Sequence, residues 1–86
     1  MTIKKEFIKR EIAGDTILVP VGQTVYDSNG LYVMNALASF LWDRLPQAET
    51  EAELCAAVLE EYEVSQAEAL ADIGEFLTTL RGMGIL

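Results

Sequence analysis

The sequence predicts an α+β fold of the winged-helix-like type, in which a three-stranded antiparallel sheet is followed by three helices (βββααα). Before Asn35, β-branched and aromatic residues alternate with turn residues, a pattern typical of short strands. After Asn35, apolar residues recur with the period of a helix, and two capping boxes mark helix starts. No linker or internal repeat divides the 86 residues, so we predict one domain over residues 1–86.

Three segments in the first part of the chain are predicted strands. Residues 7–12 and 16–21 form the first two, joined by a turn at residues 13–15. Pro20 cannot donate a ladder hydrogen bond, so it must lie at a sheet edge or a strand end. Residues 22–30 are predicted as a loop that ends in Asn29-Gly30, a pair that favours positive φ. Residues 31–34 form the third strand, with Leu31 and Val33 on one face and Tyr32 and Met34 on the other.

Capping residues mark the start of each predicted helix. Asn35 caps the first helix, which ends before the following proline. Thr50 with Glu53 opens the second helix, and Ser65 with Glu68 opens the third and longest. The buried positions that the helical period predicts are Leu37, Ala38, Leu41 and Leu45, then Leu54, Cys55, Val58, Leu59 and Tyr62, and finally Ala69, Leu70, Ile73, Phe76, Leu77 and Leu80.

The composition argues against catalysis and against membrane insertion. The chain has no histidine, the commonest general base and metal ligand, and its single cysteine excludes an internal disulfide. We therefore predict that the protein is not an enzyme and holds no cofactor or metal. Its longest apolar runs are far shorter than the roughly 20 residues that cross a bilayer. No apolar segment follows the N-terminal lysines, so no signal peptide is expected and the predicted location is the cytoplasm.

The distribution of charge argues against nucleic-acid binding. The formal net charge is −8, and residues 49–75 contain nine acidic residues and no cation. A recognition helix presents Arg, Lys, Asn and Gln to DNA, whereas the third predicted helix presents Glu68, Asp72 and Glu75. The same three acids are also compatible with an ordinary solvated helix face.

The third predicted strand suggests a peptide-binding site. It would be a sheet edge that is short and apolar, with no Lys or Pro to block pairing with another strand. Such an edge beside a helix favours binding of an extended peptide by strand addition, unless the N-terminal arm covers it. Phe76 falls between the apolar stripe and the acidic arc of the third helix, which fits either a core position or a binding surface.

An ordered set of residues along the chain carries a family resemblance. It consists of residues 10–15 leading into 17–21, residues 29–35, Ala38 with residues 40–42, Thr50 with Glu53 and Leu54, residues 61–64, and Asp72, Ile73, Phe76, Leu77 and Leu80 before residues 84–86. This set resembles the PqqD family, named for the small protein D of pyrroloquinoline quinone biosynthesis and also known as the precursor-peptide (RiPP) recognition element. The resemblance extends from about residue 7 to residue 86.

The resemblance implies a non-enzymatic peptide chaperone of natural product biosynthesis. Such domains bind the leader of a ribosomally made precursor peptide as an added strand, between the third strand and the third helix. They deliver it to a modifying enzyme, which in many pathways is a radical-SAM protein. Carried over by position, the implied peptide-binding residues are Leu31, Tyr32, Val33, Met34, Asp72, Ile73, Phe76, Leu77 and Leu80. The alternatives are a protein–protein adaptor and, less favoured by charge, an acidic winged-helix transcription factor.

Overall fold

The computed structural model describes residues 1–27 and 31–86, so the predicted turn at Asn29-Gly30 lies outside the described residues. The elements are β1 (Phe7–Ile12), β2 (Asp15–Pro20), α1 (Thr24–Asp27), β3 (Tyr32–Met34), α2 (Ala36–Arg44), a 3-10 turn (Leu45–Gln47), α3 (Glu51–Glu61) and α4 (Gln66–Gly82). The predicted α+β fold is confirmed, and the three predicted helices correspond to α2, α3 and α4. None of these helices has both the length and the hydropathy that crossing a bilayer requires.

The three strands form an antiparallel sheet in the order β1-β2-β3. A two-residue turn at Ala13 and Gly14 joins β1 to β2, and both residues have positive φ, as a tight hairpin of matching twist requires. Among the described residues, β3 pairs with Thr16, Ile17 and Leu18 of β2. Pro20 therefore lies at the strand end beyond β3, where its missing N–H costs no ladder bond to that strand.

A short helix occupies part of the predicted loop at residues 22–30. α1 has only four residues, which is too few for a helical period to show in the sequence. Its position depends on the N-terminal arm, since Thr24 Oγ1 accepts a hydrogen bond from the Glu6 backbone N–H at 2.9 Å. The contact joins residues 18 apart in the chain, so local sequence could not predict it.

The predicted helix caps are confirmed. Asn35 Oδ1 accepts from the Ala38 N–H at 2.8 Å, and the hydroxyls of Thr50 and Ser65 accept from the N–H groups three residues on. The capping box of α3 differs from the expected pattern, in which the Glu53 side chain would accept a hydrogen bond from the N–H of the cap residue Thr50. The Glu53 carboxylate accepts from the Glu49 N–H at 2.9 Å and so satisfies a donor just before the cap.

The core lies between the inner face of the sheet and the three longer helices. Its fully buried large side chains are Leu18, Leu41, Leu45, Leu54, Val58, Ile73, Leu77, Leu80 and Ile85. Two residues predicted as buried are instead exposed, Leu59 at 41% and Leu70 at 40%. Leu59 lies roughly 40° outside the arc that Leu54 and Cys55 span, so it turns away from the core.

Candidate functional site

β3 is an edge strand that presents its outer side to solvent. Leu31 and Val33 are 61% and 59% exposed, whereas Met34 is only 5% exposed. Tyr32 pairs with the fully buried Leu18, and cross-strand partners share a face, so Tyr32 points toward the helices. The predicted alternation along this strand is confirmed.

The sequence left open whether the N-terminal arm, residues 1–6, covers the edge of β3. Among the described contacts, the Lys4 N–H donates to the Ile85 carbonyl at 2.7 Å, and Glu6 O accepts from the Val21 N–H at 2.9 Å. The Lys5 ammonium lies 3.5 Å from the Met83 carbonyl. These bonds tie the arm to the C-terminal tail and to the end of β2, and β3 is not among its described hydrogen-bond partners.

A groove of about 320 Å³ lies between β3, α2 and α4, and we call it the β3–α4 groove. Its lining residues are Tyr32, Asn35, Leu37, Ala38, Leu41, Asp72, Glu75, Phe76 and Thr79. The buried members, Ala38, Leu41 and Phe76, form an apolar floor. The exposed members, Asn35, Asp72 and Glu75, form a polar rim. Among the described residues, the lining contains two carboxylates and no cation.

Tyr32 connects the strand to the helix across this groove. Its ring centroid lies 6.4 Å from that of Phe76, with the two planes tilted by 35°. Partial burial raises the pKa of the Tyr32 phenol above its usual value near 10, and the nearby Glu75 carboxylate raises it further. At neutral pH the groove therefore contains a neutral phenol beside a carboxylate.

The raised pKa predicts a loss of stability in alkali. The folded state retains the Tyr32 proton more firmly than the unfolded state, so this contribution is complete below about pH 10 and is lost as pH rises through the raised pKa. Tyr32→Phe should remove this part of the alkaline loss. Denaturant unfolding of both proteins from neutral pH upward checks it, and parallel pH profiles for the two would contradict it.

The structure places the nine sequence-predicted residues in three groups. Tyr32, Asp72 and Phe76 line the groove. Leu31 precedes the edge strand and Val33 lies on it; both are exposed, and neither lines the groove. The remaining four, Met34, Ile73, Leu77 and Leu80, are 5% exposed or less and belong to the packed core. The contact of those four residues with a peptide stays a prediction.

Sequence reasoning did not assign six of the groove residues, which are Asn35, Leu37, Ala38, Leu41, Glu75 and Thr79. Glu75 and Thr79 follow Asp72 at helical spacings of three and seven, so a signal for them was present in the sequence. The α2 residues look like ordinary core and cap positions in the sequence. Only the tertiary structure, in which α2 packs against β3 and α3, brings them to the groove as its third wall.

Comparison with known proteins places the chain in a family. Residues 17–86 match the family described as Coenzyme PQQ synthesis protein D (PqqD), a range that includes β3, the groove and all three longer helices. The chain belongs to the PqqD family, as its sequence pattern predicted. No curated protein matches the chain.

A solved structure shares the fold. It is described as "TbiB1 in Complex with the TbiA(beta) Leader Peptide" and superposes with a TM-score of 0.74 at 23% sequence identity. The alignment covers 100% of this chain and 94% of the other. At this identity the likeness establishes the three-dimensional arrangement of the strands and helices.

Proposed function

We propose that this protein is a RiPP recognition element, a non-enzymatic chaperone that binds the leader of a ribosomally synthesised precursor peptide by β-strand addition. The observation that carries the proposal is the exposed edge of β3 lying beside a groove that α4 completes. Membership of the PqqD family supports it, as does a neighbour of the same fold whose structure contains a leader peptide. The 86 residues act as one peptide-binding domain.

The geometry of the β3 edge supports strand addition there. An extended peptide pairs with the outward backbone N–H and C=O groups of Tyr32–Met34 and becomes a fourth strand. Its side chains alternate in direction, so every second one enters the β3–α4 groove. Backbone pairing and two or three side-chain pockets are expected to give an affinity near micromolar, about −8 kcal/mol.

The bound leader is then presented to a modifying enzyme in the cytoplasm, and we propose a radical-SAM protein as that enzyme, as in many pathways served by the family. The chemistry is assigned to the enzyme because the described residues offer little of their own. Cys55 is buried, and no group of three or more Cys, Asp or Glu side chains in residues 1–27 and 31–86 is placed to hold a metal.

Titration of the isotopically labelled protein with its cognate leader tests the proposal. Amide NMR shifts should concentrate at residues 31–35 and on the groove face of α4, at Asp72, Glu75 and Thr79. Ile8, which is also exposed but lies on β1 at the far side of the sheet, is the internal control. Shifts confined to α3 or to the N-terminal arm would exclude binding at β3.

We also predict that the protein does not bind DNA. α4 exposes Glu68, Asp72 and Glu75, which a phosphate backbone repels. The Lys9 ammonium lies 2.7 Å from both Asp43 carboxylate oxygens, so one of the few N-terminal cations is already paired. A mobility-shift assay at physiological salt should show no complex at micromolar protein. A complex that weakens steeply as salt rises would contradict this prediction and indicate that DNA binds to a basic face away from α4.

A further inference from the structure

We propose that the β3–α4 groove selects a Lys or Arg side chain of the bound peptide, with its aliphatic stem against Tyr32 and Leu37 and its cationic head between Asp72 and Glu75. The inference rests on the proposed function, since it describes the peptide that adds to β3. It assigns a specificity to this chain that strand addition alone does not provide, because backbone pairing is indifferent to side chains.

The two carboxylates are positioned to act together. Asp72 and Glu75 are three residues apart on α4, which places them as neighbours on one helix face. Both are exposed and both line the groove opposite β3. An inward-pointing side chain of an added strand enters the same space, because alternate residues of that strand face the helices as Tyr32 does.

The floor of the groove restricts which cation fits. The half-buried Tyr32 and Leu37 supply accessible carbon surface to the groove, over the buried Ala38, Leu41 and Phe76. A small inorganic cation would leave this surface wet. Lys and Arg instead cover apolar surface with their methylene stems while keeping the charged head at the rim. The groove thus combines an apolar lining with a charged rim, which match the apolar stem and the charged head of Lys or Arg.

No cation of the described residues neutralises the rim. The groove lining contains none, and the ion pair that the described residues form, Lys9 with Asp43, does not involve it. Arg44 lies on α2, but its guanidinium is 3.8 Å above the Phe40 ring, and neither residue lines the groove. The acidic stretch from Glu49 to Glu75 adds negative charge beyond these two carboxylates, which attracts a cationic peptide and speeds its association.

The same arrangement discriminates against acidic peptides. An Asp or Glu side chain at this position would lie beside two carboxylates, with no cation in the lining to compensate. Repulsion of the wrong partner contributes to specificity as much as attraction of the right one. The groove is therefore expected to reject a leader in which the basic residue is replaced by Glu more strongly than one in which it is replaced by Gln.

Leader titration by calorimetry, on four forms of the protein, tests the inference. The forms are the wild type, Asp72→Asn, Glu75→Gln and the matched control Glu68→Gln, which loses the same charge from the same helix outside the groove. Each groove variant should weaken cognate leader binding by roughly threefold to tenfold and reduce its salt dependence. Glu68→Gln should change affinity less than twofold. All three carboxylates are exposed, so melting temperatures should change little.

A set of leader variants, with each Lys or Arg replaced by Gln in turn, completes the cycle. One replacement should weaken binding to the wild type by more than it weakens binding to either groove variant, because each variant has already lost one of the two carboxylates that the basic side chain contacts. Equal weakening by Glu68→Gln and the groove variants would overturn the inference while leaving strand addition intact, as would the absence of any coupled basic residue. A leader that fails to bind the wild type overturns the proposed function and this inference with it.

Discussion

Replacing Phe76 with alanine is expected to lower the free energy of unfolding by about 3–5 kcal/mol. Phe76 is only 3% exposed, although it faces the groove, and its ring packs beside Tyr32. A domain of this size has about 5–10 kcal/mol of stability in all, so the variant should lose a large fraction of it. Chemical denaturation followed by circular dichroism measures the loss.

Val33→Ala is the control for this variant. Val33 lies one residue from Tyr32 but is 59% exposed, so its truncation should cost under about 1 kcal/mol. A loss of that small size for Phe76→Ala would mean that the ring contributes little to the core. Phe76→Leu, which keeps most of the apolar volume, is the variant suited to leader titration, because it separates binding from unfolding.

Ile85→Ala should cost about 2–4 kcal/mol. Ile85 has no exposed surface, and its backbone is held at both ends. Its N–H donates to the Leu80 carbonyl at 2.9 Å, and its carbonyl accepts from the Lys4 N–H at 2.7 Å. Gly84, with φ of 75°, makes the reversal that returns the chain after α4 to the core. Urea unfolding measures the expected loss.

Leu59→Ala is the matched comparison for Ile85→Ala, since both remove an aliphatic side chain of the same size. Leu59 lies within a predicted buried stripe but is 41% exposed, so its truncation should cost at most about 1 kcal/mol. A ranking with Leu59→Ala as the more damaging change would contradict the burial pattern of the structure.

Local chemistry explains why the helices and strands could be predicted. A cap requires one side chain and a backbone N–H three residues away, as Asn35, Thr50 and Ser65 show. The first strand was predicted with its observed bounds because a turn with positive φ at Ala13 and Gly14 closes it. α1 was missed because its position depends on a contact with Glu6, outside its own segment.

Only some residues of the candidate site could be predicted from the sequence, because the others depend on tertiary packing. An exposed apolar edge can be recognised in the sequence, and Leu31 and Val33 have the exposure that this requires. Helix periodicity placed Ile73, Phe76, Leu77 and Leu80 on one apolar stripe but could not decide which of them faced a groove. In the structure only Phe76 of these four lines it.

The sequence alone thus determined the order of the three strands and the three longer helices, the caps, the acidic face of α4 and the family. These properties depend on the sequence pattern and on composition, so they can be recognised without knowing the tertiary contacts. Only the tertiary structure decided that α2 forms a wall of the groove, that Leu59 is exposed, and that Ile85 enters the core. Burial is a property of what packs against a residue, and those partners lie on other elements far away in the chain.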